Sequence, residues 1–187
     1  MQIKKFNPES IPDIIKYQIL SFMRIEWKEG FTGRWRGRRW ISRPEFNPTH
    51  FVMLDEDFVV GHAESLWRDW QHNGISYRVY GISALFVYPD YQGQGYGEQL
   101  VRTATADCAK QPDADIGMLW CEPELRAFYV RCGWEPMDST TTLLGEEEAS
   151  AQIHHDEMLF MKFLSERARS RRPDFTNSQI YFGWTTW

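Results

Sequence analysis

The stretch Ile82-Ser-Ala-Leu-Phe-Val-Tyr-Pro-Asp-Tyr-Gln-Gly-Gln-Gly-Tyr-Gly97 decides how the chain is organised. Its apolar first part predicts a buried strand that ends at Val87, before Pro89. Three glycines at alternate positions then predict a tight loop. A helix is predicted after them, because apolar residues recur at helical spacing, namely Leu100, Val101, Ala104 and Cys108. The unpaired N–H groups of a first helical turn attract negative groups, so this stretch predicts an anion-binding site.

The spacing of the glycines excludes two well-known phosphate-binding loops. The Walker loop needs a Lys-Ser/Thr pair after its last glycine, whereas Glu98 follows Gly97 here. The dinucleotide fingerprint needs the pattern G-x-G-x-x-G, whereas these glycines alternate. A plain tight connection without a ligand remains the alternative interpretation of the loop.

Two blocks of sequence resemble the GCN5-related N-acetyltransferases. Gln92, Gly95 and Gly97 match the Gln/Arg-x-x-Gly-x-Gly/Ala signature of that superfamily, and a Val-x-Pro precedes them. The second block, Phe128-Tyr-Val-Arg-Cys-Gly-Trp134, is similar to the Phe-Tyr-x-Lys/Arg-x-Gly-Phe/Trp motif. The resemblance implies an acetyl-CoA-dependent N-acetyltransferase. It also implies an α/β (α+β) fold, with a mixed, mostly antiparallel central sheet splayed between its fourth and fifth strands and helices on both faces.

The order of predicted elements agrees with this resemblance over nearly the whole chain. Helices are predicted after a Ser10 cap, after Gly97 and after Pro123. Residues 30–48 form either a loop or a short helix. We expect a single domain over residues 1–187, with residues 165–187 as a tail that returns to it. The strands are predicted at residues 1–6, 51–54, 58–67, 76–87, 116–121, 140–144 and 158–163.

Composition excludes several other classes of protein. Apolar residues make up 42% and charged residues 25%, which is typical of a soluble globular domain. No apolar run approaches the ~20 residues of a membrane span, and no secretion signal is recognisable, so we expect a cytoplasmic protein. A net charge of −5 argues against nucleic acid as a partner. Three cysteines without C-x-x-C spacing, and the adjacent His154 and His155, predict no metal site.

The resemblance implies a set of residues that bind the coenzyme. The glycine loop would hold the pyrophosphate of acetyl-coenzyme A, and the end of the preceding strand would pair with the pantetheine arm. Backbone N–H groups of Phe86 and Val87 would polarise the thioester carbonyl. The full set is Leu85, Phe86, Val87, Gln92, Gly93, Gln94, Gly95, Tyr96, Gly97, Glu98 and Phe128.

Acetyl transfer to an amine also requires an acid and a base. Tyr129 matches the superfamily tyrosine that donates a proton to the departing thiolate, although packing on an apolar helix face is the alternative. Relatives often carry a glutamate ahead of the glycine loop, but this chain has Ser83 at that level. Glu64 and His62 are the nearest substitutes by pattern. Each is alternatively a polar residue on a sheet face, and a water chain ending at either would also serve.

A more distant resemblance concerns the end of the chain. Gly61-His-Ala63 and the final Phe182-Gly-Trp-Thr-Thr-Trp187 are similar to aminoglycoside 2'-N-acetyltransferases, in which a terminal tryptophan carboxylate lies in the substrate site. The resemblance implies a similar role for Trp187 in attracting a cationic amine. The basic cluster departs from that pattern, because its charges would repel a polycation if they faced the cleft. This cluster is Arg34, Arg36, Arg38 and Arg39.

The sequence leaves the acceptor open. A small-molecule primary amine is the leading hypothesis, because no appended domain is recognisable that would hold a macromolecule. A protein or peptide acetyltransferase is the second hypothesis, in which the tryptophan-rich residues 27–40 would bind the substrate polypeptide. A non-catalytic acyl-CoA-binding module is the third, because Ser83 stands where a base is often found. The sequence also leaves the oligomeric state open, with a homodimer paired through the C-terminal strands as one option.

Overall fold

The computed structural model describes residues 1–40 and 42–187. Among these residues, no helix combines the length and the apolar character needed to cross a membrane. The helices are α1 (Asp13–Glu26), α2 (Tyr96–Ala109), α3 (Arg126–Arg131) and α4 (Glu166–Ser170). The strands are β1 (Gln2–Phe6), β2 (Thr49–Asp55), β3 (Phe58–His72), β4 (Ile75–Val87), β5 (Ile116–Cys121), β6 (Glu135–Pro136), β7 (Thr141–Leu144), β8 (Gln152–Ile153), β9 (Met158–Phe163) and β10 (Gln179–Gly183).

The strands form two sheets, as the order of their hydrogen-bonded neighbours shows. The larger sheet has the order β1-β2-β3-β4-β5-β9-β6, and the smaller has the order β10-β7-β8. In the larger sheet, the β1/β2, β2/β3 and β5/β9 pairs are antiparallel, whereas β4 and β5 are parallel. The parallel ladder joins Val79–Gly81 to Ile116–Met118, although β4 continues to Val87. The predicted mixed, mostly antiparallel sheet with its helices is therefore confirmed.

The chain divides into two compact units. Unit 1 comprises Met1–Leu66 and Ile82–Ala104, and unit 2 comprises Trp67–Gly81 and Thr105–Trp187. The expectation of a single domain over residues 1–187 remains a prediction.

Unit 1 has a core between α1 and the strands β2, β3 and β4. The apolar stripe of α1 places Ile15, Ile19 and Met23 in this core, whereas Ile14 is 64% exposed. The predicted capping role of Ser10 is wrong, because its hydroxyl bonds to the backbone of Asn7 and α1 begins after Pro12 without a side-chain cap.

Two strands of unit 1 approach each other unusually closely at Gly61. A Cβ at Gly61 would lie 2.8 Å from the carbonyl oxygen of Phe86, so only glycine permits this approach of β3 to β4. Gly61 therefore helps to fix the end of β4 that leads into the glycine loop.

Unit 2 has an aromatic core that includes the end of the chain. Trp70, Tyr77, Trp120, Phe175 and Phe182 are all buried in it. The predicted tail forms α4 and then β10, which pairs in parallel with β7. The sequence did not predict β10 as a strand, because its five residues lie among turns and give only a short pattern.

All three cysteines, Cys108, Cys121 and Cys132, are buried and form no disulfide. Burial raises the pKa of the Cys121 thiol to about 12, with smaller contributions from the charges of Glu157 and Glu122.

Asp115 joins three segments of unit 2 through its buried carboxylate. The carboxylate accepts hydrogen bonds from the Arg78 backbone N–H (3.0 Å), the Ser165 hydroxyl (2.8 Å) and the Arg167 guanidinium. Burial raises the pKa of Asp115, but the bonds from Arg167, Ser165 and Arg78 outweigh it and lower the pKa overall.

We expect Asp115→Asn to lower the free energy of unfolding by about 1 to 3 kcal/mol at pH 7, because charge-assisted hydrogen bonds are lost. A depressed pKa stabilises the fold above the ordinary carboxyl pKa of about 4, and the stabilisation disappears as the pH falls through the lower folded value. Chemical denaturation should therefore show a wild-type advantage that shrinks below about pH 4.

Asp138→Asn is the matched control for Asp115→Asn. Asp138 also pairs with an arginine, Arg126, but its side chain is 57% exposed, so the change should cost well under about 1 kcal/mol. A gap between wild type and Asp115→Asn that stays constant from pH 7 to pH 3 would contradict the assignment.

Candidate functional site

The glycine loop follows a 3-10 turn at Pro89–Tyr91 and leads into α2, the helix that the sequence predicts after the glycines. The Gln92 amide donates to the Pro89 carbonyl (3.1 Å), and the Gln99 amide donates to the Gly95 carbonyl (3.1 Å). Between these two bonds, the amides of residues 93–98 donate to no acceptor within residues 1–40 and 42–187. Residues 92–95 are exposed, so this row of N–H groups is open to a ligand.

The loop glycines leave space beside this row of amides. Gly93 and Gly95 have φ values of 76° and 82°, a left-handed conformation that favours glycine. A Cβ at either position would meet nothing within 4 Å. Unpaired amides, open space and a helix N-terminus together fit a pyrophosphate group.

The glutamine side chains of the loop form hydrogen bonds to nearby backbone carbonyls and do not pair with the loop amides. The Gln92 side-chain amide donates to the Val87 carbonyl (2.9 Å), which ties the loop to the end of β4. The Gln94 side-chain amide donates to the Asp90 carbonyl (3.4 Å). Glu98 pairs with Arg102 one turn along α2 (2.8 Å), so its charge is partly offset at the helix start.

The end of β4 combines one buried ring with partly open neighbours. Phe86 is buried and stacks on Phe22, with ring centroids 4.2 Å apart, whereas Leu85 and Val87 are half-buried. Just before them, Ala84 has a φ of 48°, which is unusual for a residue other than glycine and interrupts the regular strand. Ser83, next to it, is half-buried.

Glu64 and His62 belong to a fully buried cluster in unit 1. His50 lies opposite Glu64 in the β2/β3 ladder, and its Nδ1 is 3.2 Å from both Glu64 Oε1 and His62 Nε2. His62 Nε2 is 3.9 Å from Glu64 Oε1, and His62 Nδ1 is 2.9 Å from the Ala84 carbonyl oxygen. Glu64 and His62 are 0% exposed and His50 is 1% exposed.

The electrostatics of this cluster favour an ionised Glu64 and a neutral His62. Burial raises the pKa of Glu64, but hydrogen bonding and charge from His50, the charge of His62 and the Ser42 hydroxyl outweigh it, giving a pKa of about 2. Burial lowers the pKa of His62 to about 4, against the opposing effect of the Glu64 charge.

Three members of the cluster were not predicted from the sequence. The Trp40 indole N–H donates to Glu64 Oε1, and the Ser42 hydroxyl donates to Glu64 Oε2. His50 was missed because the sequence does not reveal the strand register that places it opposite Glu64. The only signal in the sequence for such a cluster was the presence of a histidine, His50, in the strand that precedes the strand with His62 and Glu64.

The basic cluster after α1 is arranged around an aromatic ring. The Arg38 guanidinium lies 4.6 Å from the centre of the Trp35 ring, and Arg43 lies 6.0 Å from it. Arg36 and Arg39 are exposed. The Arg34 side chain and Ile41 lie outside the described part of the chain.

Tyr129 lies on α3 in unit 2 and is 6% exposed. Its ring packs edge-on against Phe128 (5.0 Å between centroids) and beside Phe160 (5.8 Å). Burial raises the pKa of the Tyr129 phenol, and the charges of Cys121, Cys132 and Glu157 add to the effect. The phenol therefore keeps its proton at neutral pH.

Trp187 lies in unit 2 at the end of the β4/β5 ladder. Its indole N–H donates to the Met118 carbonyl (2.8 Å), and Met118 is the partner of Gly81 in that ladder. The indole also packs edge-on against Phe182, with centroids 5.1 Å apart. A side chain at Gly81 would overlap the indole, so the glycine makes room for it.

We expect Gly81→Ala to displace the Trp187 indole and destabilise the fold by about 1 to 3 kcal/mol, the usual cost of overpacking. In a Trp187→Ala background the same alanine should cost much less. Thermal melts of the two single variants and the double variant measure this coupling. Gly37→Ala is the control, because a Cβ there meets nothing within 4 Å. Additive effects of Gly81→Ala and Trp187→Ala would refute the packing assignment.

Comparison with solved structures identifies the fold. An aminoglycoside 6'-N-acetyltransferase complexed with coenzyme A is 14% identical, with a TM-score of 0.61 over 89% of this chain and 99% of that chain. ElaA from Escherichia coli is 13% identical, with a TM-score of 0.60 over 86% of this chain and 98% of that chain. A GCN5-related N-acetyltransferase from Kribbella flavida is 20% identical, with a TM-score of 0.54 over 73% of this chain and 34% of that chain.

Sequence comparison identifies the family. No curated protein sequence matches the chain significantly. The sequence model of the Acetyltransferase (GNAT) family matches residues 17–134, which include the glycine loop and the second motif that ends at Trp134. With more than half of its length matched, this chain belongs to the Acetyltransferase (GNAT) family of acetyl-CoA-dependent enzymes.

Proposed function

We propose that this protein transfers an acetyl group directly from acetyl-CoA to a primary amine of a small molecule. The observation that carries the proposal is the row of unpaired amides at residues 93–98, where α2 begins. Such a row has no role within the described protein but matches the acceptor oxygens of a pyrophosphate.

Different segments of the chain would bind different parts of acetyl-CoA. When bound, acetyl-CoA supplies an acyl group already activated as a thioester. The amides of residues 93–98 would hold its pyrophosphate, and the residues Leu85 to Val87 would pair with the pantetheine arm. Backbone N–H groups of Phe86 and Val87 would stabilise negative charge on the carbonyl oxygen.

Tyr129 would supply the proton that the departing thiolate needs. Its buried phenol stays protonated at neutral pH, and a phenol with the proton in place is the form that can act as an acid. The motif Phe128-Tyr-Val-Arg-Cys-Gly-Trp134 supports this assignment by its resemblance to the family pattern.

The acceptor amine must lose a proton, because an alkylammonium with a pKa near about 10 is not a nucleophile at pH 7. Glu64 and His62 are fully buried, so they would act only at the end of a chain of water molecules. Ser83 is half-buried and lies one residue from Ala84, whose carbonyl contacts His62. We therefore propose that water takes the proton first.

A small acceptor without high positive charge fits the surface best. Arg36 and Arg39 are exposed in the segment after α1, and they would repel a polycation that approached this segment. Trp187 remains a candidate acceptor-site residue through its resemblance to aminoglycoside 2'-N-acetyltransferases.

Free thiol release tests the proposal. The protein should release coenzyme A thiol from acetyl-CoA only when an amine is present, across a panel of monoamines, diamines, aminoglycosides and peptides. A small monoamine with the highest kcat/KM would support the proposal. If peptides alone are acetylated, the peptide N-acetyltransferase hypothesis replaces it, a role consistent with the fold similarity to the NatC complex (TM-score 0.54, 17% identity).

A non-catalytic acyl-CoA-binding module is the second candidate function. The observation that favours it is the complete burial of Glu64 and His62, with Ser83 at the level where relatives often carry a base. Acetyl-CoA that raises the melting temperature, without thiol release for any amine in the panel, would support this module.

A further inference from the structure

The buried cluster in unit 1 has the composition of a metal site. His50, His62 and Glu64 each offer one ligand atom, and these atoms lie within 4.8 Å of one another. Two imidazole nitrogens and one carboxylate oxygen suit zinc and related divalent transition metals. Among the described residues, these two histidines are the basic side chains that lie within 4.0 Å of the Glu64 carboxylate.

The spacing of the three ligand atoms matches the size of such an ion. The separations are 3.2 Å, 3.2 Å and 3.9 Å. A point about 2.1 Å from all three atoms exists just outside the plane of this triangle. Zinc bonds to histidine nitrogen and carboxylate oxygen are about 2.0 to 2.2 Å long, so the atoms need little movement to bind an ion.

Neighbouring groups orient the side chains of His62 and Glu64 through hydrogen bonds, as they do in metal sites. His62 Nδ1 lies 2.9 Å from the Ala84 carbonyl oxygen, which fixes the proton on Nδ1 and leaves Nε2 free to bind a metal. Trp40 and Ser42 donate to the two carboxylate oxygens of Glu64. The Trp40 ring also packs edge-on against His50, with centroids 5.0 Å apart.

All three ligand residues lie on two neighbouring strands, β2 and β3, and not on loops. His50 and Glu64 are direct partners in the β2/β3 ladder, and His62 lies two residues from Glu64 on the same face of β3. Sites on strands hold ligands more accurately than sites on loops. The sequence predicted no metal here, because the strand register was unknown.

We propose that His50, His62 and Glu64 bind one divalent transition-metal ion, for which Zn²⁺ is the probe. The ion would compensate the charge of a completely buried carboxylate. The inference goes beyond the proposed acetyl transfer and does not depend on it. A loaded site would engage Glu64 and His62 as ligands, so the water that takes the amine proton would then pass it to solvent and not to these residues.

Metal content and thermal stability test the site in the full chain. After purification without added chelator, elemental analysis should find about one metal ion per chain. Titration of chelator-treated protein with Zn²⁺ should saturate at one equivalent and raise the melting temperature by about 5 °C or more. Mg²⁺ should not substitute, because it prefers oxygen ligands.

Variants separate this site from adventitious histidine binding. Glu64→Gln and His50→Gln should each weaken Zn²⁺ binding by about 10-fold or more. The control is His154→Gln, which removes another histidine in contact with a glutamate, Glu157 (2.9 Å), and should leave binding unchanged. Melting curves in chelator show whether each variant is folded.

Two results would overturn the proposal. Wild-type protein that binds no Zn²⁺ at micromolar free concentration would exclude the site, whether or not thiol release is observed. Zinc binding that both cluster variants retain at the affinity of wild type would place the ion elsewhere, whatever the result for His154→Gln. Saturable binding by wild type together with failed thiol release would leave the metal site intact and reject only the proposed function.

Discussion

Gly95→Asp is expected to weaken acetyl-CoA binding by about 100-fold or more. The new carboxylate would enter the space beside the unpaired amides, where the pyrophosphate is proposed to bind, and like charges placed together cost several kcal/mol. Isothermal titration with acetyl-CoA measures the loss directly. The melting temperature of the variant should no longer respond to the coenzyme.

Gly74→Asp is the matched control for the loop variant. Gly74 also has a positive φ, 73°, and a Cβ there also meets nothing within 4 Å. Both substitutions therefore impose similar backbone strain, but Gly74 lies in the turn between β3 and β4. If Gly95→Asp binds acetyl-CoA as tightly as Gly74→Asp does, the amides are not the coenzyme site.

Tyr129→Phe is expected to lower kcat by about 100-fold or more while the dissociation constant of acetyl-CoA changes little. The substitution removes a proton donor but keeps the ring that packs beside Phe128 and Phe160. Steady-state kinetics with the best amine, together with titration of acetyl-CoA, separate the two quantities.

Tyr77→Phe controls for the loss of a buried phenol. Tyr77 is 1% exposed and also belongs to unit 2, but it is not part of either family motif. Its variant should keep kcat within about twofold of wild type. Equal losses of kcat and of coenzyme affinity in Tyr129→Phe would indicate a packing role for Tyr129.

The sequence predicted the elements that have strong local signals. The strands β5 and β9 were predicted with their observed bounds, because each is a short, mainly apolar run that directly follows an acidic residue, Asp115 or Glu157. The start of α2 was predicted within one residue, since glycines and a helical stripe meet there. The family resemblance rests on the same local patterns.

The features that the sequence did not predict depend on contacts between distant residues. Trp40, Ser42 and His50 meet Glu64 only because of the register of β2 and β3 and the path of the segment before β2. The position of Trp187 against Gly81 likewise depends on β10 returning to β7. The residue pattern within a single segment does not predict such contacts between distant residues.

The burial of Cys108, Cys121 and Cys132 has a practical consequence for enzymology. A thiol-specific dye added to the native protein should react with released coenzyme and not with the enzyme, so turnover can be followed continuously with little background. The same dye becomes a reporter of unfolding once denaturant uncovers the three side chains.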